Sequence, residues 1–311
     1  MGSMTIQPID REPVAVVGAG LIGAGWVAVF TAAGLEARAW DPDPARLATL
    51  RNRVRPLRAA LRKLQPVRRG RLVLAKSLEG AVTHVRLVQE NAPENLAAKR
   101  ALLARIEAAA DPATVIASST SALLWSDLAQ EMARPERLLV AHPFNPVHLI
   151  PLVELFTPDP ALADHAVAFY TALGKRPVRL RREMPGHIAG RLAAALWREA
   201  VHLVGEGVAS VADIDAALVE GPGLRWAVQG AHLSYHLGGG AGGIADYLEH
   251  LGPSQERRWA TLGEPSLDAA TRERLILGVA GEARGRSVAE LEAARDRALV
   301  ELMRARRKAD S

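Results

Sequence analysis

The stretch PVAVVGAGLIGAGWVAVFTAAGLEARAWD, residues 13–41, decides the fold. Pro13 to Val17 reads as a short buried strand. Leu21 to Ala33 follows with a helical pattern that stops at Gly34, a suitable C-terminal glycine. Leu35 to Trp40 is a second strand, ending at Asp41. Between the first strand and the helix lies Gly18-Ala19-Gly20-Leu21-Ile22-Gly23, and that strand–turn–helix context is what makes G-x-G-x-x-G informative. The glycines permit a tight bend and let backbone approach a pyrophosphate, while the helix N-terminus offers unpaired amides and a positive dipole end. Asp41, about 20 residues on, is placed to accept hydrogen bonds from an adenosine ribose and to repel a 2′-phosphate. No arginine immediately follows it, and Arg46 lies in the next helix. NAD rather than NADP is the expected cofactor.

Strand-like and helix-like segments keep alternating beyond this unit, which argues for βαβ units and a parallel sheet. Strands are expected at Arg71–Ala75, His84–Gln89, Thr114–Ala117, Arg137–Ala141, Pro151–Phe156 and Arg176–Leu180, with helices including 94–109 and 161–173 between them. The helix from Asp43 to Leu64 contains Pro56, which is expected to kink or divide it. After about Met184 no convincing strand follows. His187–Val208 is a long amphipathic stretch, Ser210 caps another helix, and Ser287-Val-Ala-Glu290 is a capping box opening a last one. The expected fold is therefore α/β: a Rossmann-type doubly wound sheet over residues 1–184, followed by an all-helical domain over residues 185–311. Gly238–Gly243 reads as a loop.

Composition narrows the function classes. The 311 residues are 49% apolar and 23% charged, and they carry a net charge of +5, a globular balance of a length that suits two domains. There is no cysteine, which excludes disulfides, zinc-thiolate sites and thiol nucleophiles; no metal site is expected. The arginine-rich stretches 51–62 and 68–71 lack interleaved aromatics, so they read as a solvated helix face rather than a nucleic-acid surface. No apolar run approaches the roughly 20 residues of a membrane span, and no secretory leader pattern is present. The opening Met-Gly-Ser-Met looks like a cloning remnant, with Met4 the expected native start and the cytoplasm the expected location.

An enzyme that uses nicotinamide to oxidise an alcohol needs a base for the hydroxyl proton, and histidine suits this with its ordinary pKa near 6.5. His142 and Glu154 flank the run HPFNPVHLIPLVE and are expected near C-terminal ends of strands, where open α/β sheets bind ligands. The residues alone leave two readings open: a proton-transfer pair, or a satisfied loop histidine beside a strand-end carboxylate.

His142-Pro-Phe-Asn-Pro146 followed by Pro151-Leu-Val-Glu154 resembles the core motif of the 3-hydroxyacyl-CoA dehydrogenase family. The resemblance covers nearly the whole chain in matching order: the glycine fingerprint, Ala92-Pro-Glu-Asn95, Ser118-Ser-Thr-Ser121, the histidine motif, Leu173-Gly-Lys175 and Pro185-Gly186. It implies NAD-dependent oxidation of a 3-hydroxyl, with His142 as general base and Glu154 as its orienting carboxylate. It also implies that Ser121 hydrogen-bonds the substrate oxygen, that Glu94 and Lys99 lie near the nicotinamide ribose, and that Asn145 holds the histidine loop. Local readings stay open beside these: Ser121 as N-cap of a helix beginning near Leu123, and Glu94 with Lys99 as an exposed helix pair. One position departs. The family pattern Pro-Gly-Phe-Ile-x-Asn-Arg-Leu appears here as Pro185-Gly-His187-Ile-Ala-Gly190-Arg-Leu192, with His for Phe and no side chain where Asn would add a hydrogen bond. That gap leaves room for a catalytically weak, NAD-binding structural homologue.

The second domain bears on the substrate. Gly221-Pro-Gly-Leu-Arg225-Trp226 resembles the branch acting on free 3-hydroxy acids, L-carnitine and L-gulonate, rather than on acyl-CoA such as 3-hydroxybutyryl-CoA. Carnitine carries a carboxylate, which suits the planar donor set of Arg225. It also carries a quaternary ammonium, which aromatic faces hold best; Trp226, Tyr235 and Phe144 are the candidates, with core or dimer packing as the plainer reading of each. Gulonate would ask for more hydroxyl partners than Gln229, Ser234 and His232 supply. The long apolar helices predict a homodimer.

Overall fold

The computed structural model describes residues 12–309, so the opening Met-Gly-Ser-Met lies outside the described residues. Two compact units form: one runs to Gly190 and also takes in Arg295–Arg307, and the other comprises Arg191–Ala294.

The first unit contains, in chain order, β1 (Val14–Val17), α1 (Leu21–Ala32), β2 (Glu36–Trp40), α2 (Pro44–Arg62), β3 (Arg71–Leu74), α3 (Leu78–Val82) and β4 (Leu87–Glu90). It continues through α4 (Leu96–Ala109), β5 (Val115–Ser118), α5 (Trp125–Leu128), β6 (Leu138–Pro143), β7 (Leu152–Phe156), α6 (Pro160–Ala172) and β8 (Arg176–Arg179). The strands make one eight-stranded sheet, ordered β3-β2-β1-β4-β5-β6-β7-β8. The order reverses between β1 and β4, the switch point where such sheets open a ligand crevice.

Strand periodicity builds the core on both faces. Val14 and Val16 of β1 point into one buried cluster, with Trp26, Phe30, Leu50 and Tyr170. Ala15 and Val17 point into the other, with Leu78, Leu103, Ile106 and Leu128.

Two expectations change. The sheet is not wholly parallel: β6 and β7 pair antiparallel, because the short connection between them cannot make the dozen-residue crossover a parallel pair needs. Helix α2 is also undivided; it runs through Pro56, whose ring is exposed rather than wedged into the core.

The second unit is helical: α7 (Ala189–Gly205), α8 (Val211–Leu218), α9 (Leu224–Trp226), α10 (Ala231–Gly238), α11 (Gly243–Trp259), α12 (Ala269–Ala283) and the start of α13 (Val288–Ala309). Helix α7 starts two residues later than the sequence pattern predicts, because His187 takes a left-handed backbone with φ 54°. The local signals act as read: the Ser210 hydroxyl accepts the Asp213 amide at 3.2 Å, and Ser287 and Glu290 cap each other's amides at 2.8 and 3.3 Å. The glycine run 238–243 closes α10 and opens α11 through a tight turn. Residues 295–307 of α13 belong to the first unit because Arg304 and Arg307 donate to the Lys63 and Leu64 carbonyls that end α2, a favourable place for cations. Val300 is buried there.

Candidate active site

The glycine turn is shaped by what a side chain would hit. Gly18 has φ +91°, and a Cβ there would lie 2.8 Å from the Asn91 backbone, while one on Gly23 would lie 1.9 Å from the Gly18 carbonyl oxygen. At Gly20 a Cβ would meet nothing within 4 Å, so the turn is packed on the inside and open on the outside. Gly20 is the N-cap of α1 and offers no side-chain cap, which leaves first-turn amides facing that opening. The buried Asp41 carboxylate is oriented by the Ala19 amide at 2.7 Å and the Asp43 amide at 2.9 Å. Arg46 approaches Asp41 at 3.9 Å but also pairs with Asp43, so its charge is shared between two carboxylates. Leu21 is exposed at the helix start, and Ile22 packs partly against the core. These residues fit a dinucleotide: amides and a dipole for the pyrophosphate, a carboxylate for a ribose, and space where the backbone must be approached.

Glu94 and Lys99 are not an exposed helix pair. Lys99 is buried, its Nζ 2.8 and 3.0 Å from the two oxygens of buried Glu90 and 3.8 Å from Glu94. Glu90 also accepts from Ser118 Oγ at 2.5 Å, so the buried carboxylate is both paired and hydrogen-bonded, as a buried charge must be. One oxygen of Glu94 accepts Thr120 Oγ1 at 2.6 Å and the amides of Ser121 and Ala122 at 2.9 Å each. Burial opposes its ionisation, but the Thr120 bond, the Lys99 charge and those amides outweigh it and hold the carboxyl below its ordinary value. Ser121 is not the helix cap: Thr120 Oγ1 accepts the Leu123 amide at 3.0 Å, and α5 begins only at Trp125. The Ser121 side chain is exposed, with one long contact to Glu94 at 3.3 Å.

The antiparallel register sets His142 of β6 directly opposite Glu154 of β7. Glu154 is the central residue of β7 rather than one near its C-terminal end. His142 Nδ1 lies 2.9 Å from Glu154 Oε2, and Glu154 Oε1 accepts the Ile188 and Ala189 amides at 2.8 and 2.9 Å. Burial pushes the Glu154 carboxyl up, but the His142 bond and the two amides prevail and hold it below its ordinary value. An anionic acceptor at Nδ1 keeps the proton there and leaves the Nε2 lone pair free to take another. Phe144 stands edge-on to His142 with ring centroids 5.5 Å apart, and His187 lies at 5.1 Å.

Asn145 is exposed, and the loop that follows His142 is held instead by Lys175. The buried Lys175 amine donates to the Val147 carbonyl, and to that of Ile150 at 3.1 Å. Burial pushes it down to about 7. Sequence reasoning did not single out Glu90, Thr120 or Lys175 for these tasks. A glutamate inside the apolar strand Leu87-Val-Gln-Glu90 was the one available signal, since a buried carboxylate needs a partner.

A Cβ on Gly190 would meet nothing within 4 Å, so a side chain there would start into open space. Arg225, Trp226 and Tyr235 belong to the second unit, and all three are exposed. Tyr235 packs on Tyr247 at 5.0 Å. Phe144 belongs to the first unit, beside His142.

Residues 13–184 match the family profile described as 3-hydroxyacyl-CoA dehydrogenase, NAD binding domain, and residues 186–271 match its C-terminal domain. An L-carnitine dehydrogenase from Streptomyces griseus is 47% identical over 96% of this chain and 91% of that protein. One from Pseudomonas aeruginosa is 45% identical over 94% of each. The crystal structure of 5-formyl-3-hydroxy-2-methylpyridine 4-carboxylic acid 5-dehydrogenase, an NAD+-dependent dismutase, superposes with a TM-score of 0.81 at 25% identity, over 96% of this chain and 99% of that one. That of (S)-3-hydroxybutyryl-CoA dehydrogenase from Ralstonia eutropha gives 0.59 at 26% identity, over 68% and 78%. Fold and relatives thus define an NAD-dependent oxidoreductase of the 3-hydroxy dehydrogenase class. The chain belongs to the 3-hydroxyacyl-CoA dehydrogenase family.

Proposed function

We propose that the protein oxidises the 3-hydroxyl of L-carnitine to 3-dehydrocarnitine, with His142 as general base and Glu154 as the carboxylate that orients it. The observation that carries the substrate is the 42–47% identity, over 94–96% of this chain, to proteins named L-carnitine dehydrogenase. NAD, when bound, supplies the two-electron acceptor. His142 Nε2 takes the hydroxyl proton as the C3–H bond breaks, and Glu154 stabilises the imidazolium across the 2.9 Å bond. Ser121, exposed at the end of the β5 loop, is the proposed donor to the substrate oxygen. Glu94 and Lys99 border the nicotinamide end in this reading, with Asn145 and Phe144 lining the His142 side. Arg225 is the proposed carboxylate partner, and Trp226 and Tyr235 the partners of the trimethylammonium.

Residues 1–184 as cofactor domain, residues 185–311 as substrate domain and a cytoplasmic location belong to the same proposal. So does a homodimer, supported by exposed Trp197, Leu233, Leu248, Trp259, Ile276 and Leu277 in the second unit, a density of apolar surface that a second copy would cover.

The test is NADH formation from L-carnitine, L-gulonate and 3-hydroxybutyryl-CoA in parallel. Turnover of L-carnitine alone is the expected result. Turnover of either other substrate without L-carnitine overturns the substrate assignment. Tight NAD binding with none turned over would mark a homologue that Gly190 has left inactive.

A further inference from the structure

The chain enters α7 through a turn that touches both halves of the candidate site. Gly186 and His187 are consecutive residues with positive φ, 75° and 54°. A residue with a Cβ keeps such a backbone only where its surroundings hold it, and here three contacts do. The His187 amide donates to the Met184 carbonyl at 2.9 Å. Its ring Nε2 lies 3.0 Å from the carbonyl oxygen of buried Thr120. Its ring centroid is 5.1 Å from that of His142. The next two amides then close on Glu154.

A carbonyl only accepts, so Nε2 carries the hydrogen. Burial pushes the ring's pKa below the ordinary value and His142 adds to this, while the Thr120 bond and the charges of Glu154 and Glu94 oppose it. The phenylalanine of the family pattern could pack on His142 in the same way, but it could not hold a carbonyl.

We propose that His187 is a positioning residue that fixes the Thr120 carbonyl, and with it the Ser121 hydroxyl, relative to the His142 ring. Glu94 anchors this loop by its amides, and His187 anchors it from the side of the dyad. With one anchor gone the loop can shift, and a displacement of about 1 Å between reacting groups costs up to ~100-fold in rate. The proposal rests on His142 and Glu154 being the reacting pair.

The experiment compares His187→Phe and His187→Gln, each alone and combined with Ser121→Ala. His187→Phe is expected to lower kcat about tenfold and to leave the NAD Kd, measured by calorimetry, unchanged. His187→Gln restores a donor to the carbonyl and should recover most of the loss. In the Ser121→Ala background the Phe substitution should cost much less, because the hydroxyl it positions is gone and the two effects are coupled. Amide exchange over residues 118–124 should quicken in the Phe variant and not in the Gln variant. Wild-type kcat and exchange in His187→Phe would overturn the proposal. So would equal losses in both variants that follow melting temperature alone, or strictly additive losses with Ser121→Ala. If the wild type oxidises another of the three substrates instead of L-carnitine, the substrate assignment fails and the cycle is run on that substrate. If it oxidises none, the exchange comparison decides the role of His187 by itself.

Discussion

Replacing Glu154 by glutamine tests the proposed dyad most directly, because it removes a charge while nearly keeping volume. Glu154 is almost wholly buried, and both its oxygens are acceptors: Oε2 for His142 Nδ1 at 2.9 Å, Oε1 for the Ile188 and Ala189 amides at 2.8 and 2.9 Å. Glutamine has one acceptor oxygen and one donor nitrogen. If its oxygen stays on the two amides, its NH2 faces His142 Nδ1 and drives the ring proton to Nε2, the nitrogen that must receive the substrate proton. If it flips, the NH2 meets two backbone donors, which strands them in a buried place. The first arrangement leaves fewer donors unpaired and is the expected one.

The lost interaction is a hydrogen bond to a charged group, worth about 1.5–3 kcal/mol. At about 1.4 kcal/mol per decade of rate, kcat should fall about 10- to 150-fold. The assay is steady-state NADH absorbance with the 3-hydroxy substrate, beside NAD titration by calorimetry and a thermal melt. NAD affinity should hold, since Gly18–Gly23 and Asp41 do not touch the pair. A kcat within twofold of wild type in a properly folded variant would refute the reasoning. A parallel loss of NAD affinity would refute the placement of the site.

The glycine turn offers a paired test. Gly18→Ala should destabilise the fold by about 1–3 kcal/mol, because φ is +91° and the new Cβ meets the Asn91 backbone at 2.8 Å. Gly20→Ala meets nothing within 4 Å, so its melt should match wild type while its NAD Kd rises; equal melts for both would contradict the turn geometry. Asp41→Asn should weaken NAD and narrow the preference over NADP, read as the ratio of the two kcat/KM values; an unchanged ratio would remove Asp41 from the ribose. Lys175 gives a pH signature. Burial lowers its pKa from 10.5 to about 7, so the unfolded chain binds the extra proton between those values. Its contribution to stability is complete above pH 10.5 and is lost as pH falls to about 7, at up to ~1.4 kcal/mol per unit. Lys175→Met should flatten that part of the urea-derived stability curve, and an unaltered slope would show that this amine does not titrate there.

Much of the molecule was legible as sequence because its signals are local. A strand-length apolar run, a glycine turn and a helix start within residues 13–41 are dictated by neighbours, as are the Ser210 and Ser287 caps. The same short-range logic raised His142 and Glu154 as a candidate pair but left a satisfied loop histidine equally open. Which side chain faces which was a different matter. Glu154 meets His142 because a short connection forces β7 antiparallel and sets the register. Lys99, four residues into α4, could have faced solvent, but it lies buried on Glu90 because α4 packs against β5 and sends Leu103 and Ile106 into the sheet's core. The Leu123 amide turned to Thr120 rather than to Ser121, and Lys175, rather than the exposed Asn145, holds the loop after His142, for the same reason. Residue type and spacing settled which elements form and that a dinucleotide binds. Burial and strand pairing depend on residues far apart in the chain, so only the tertiary structure decided how the charges pair and where the His187 ring comes to rest.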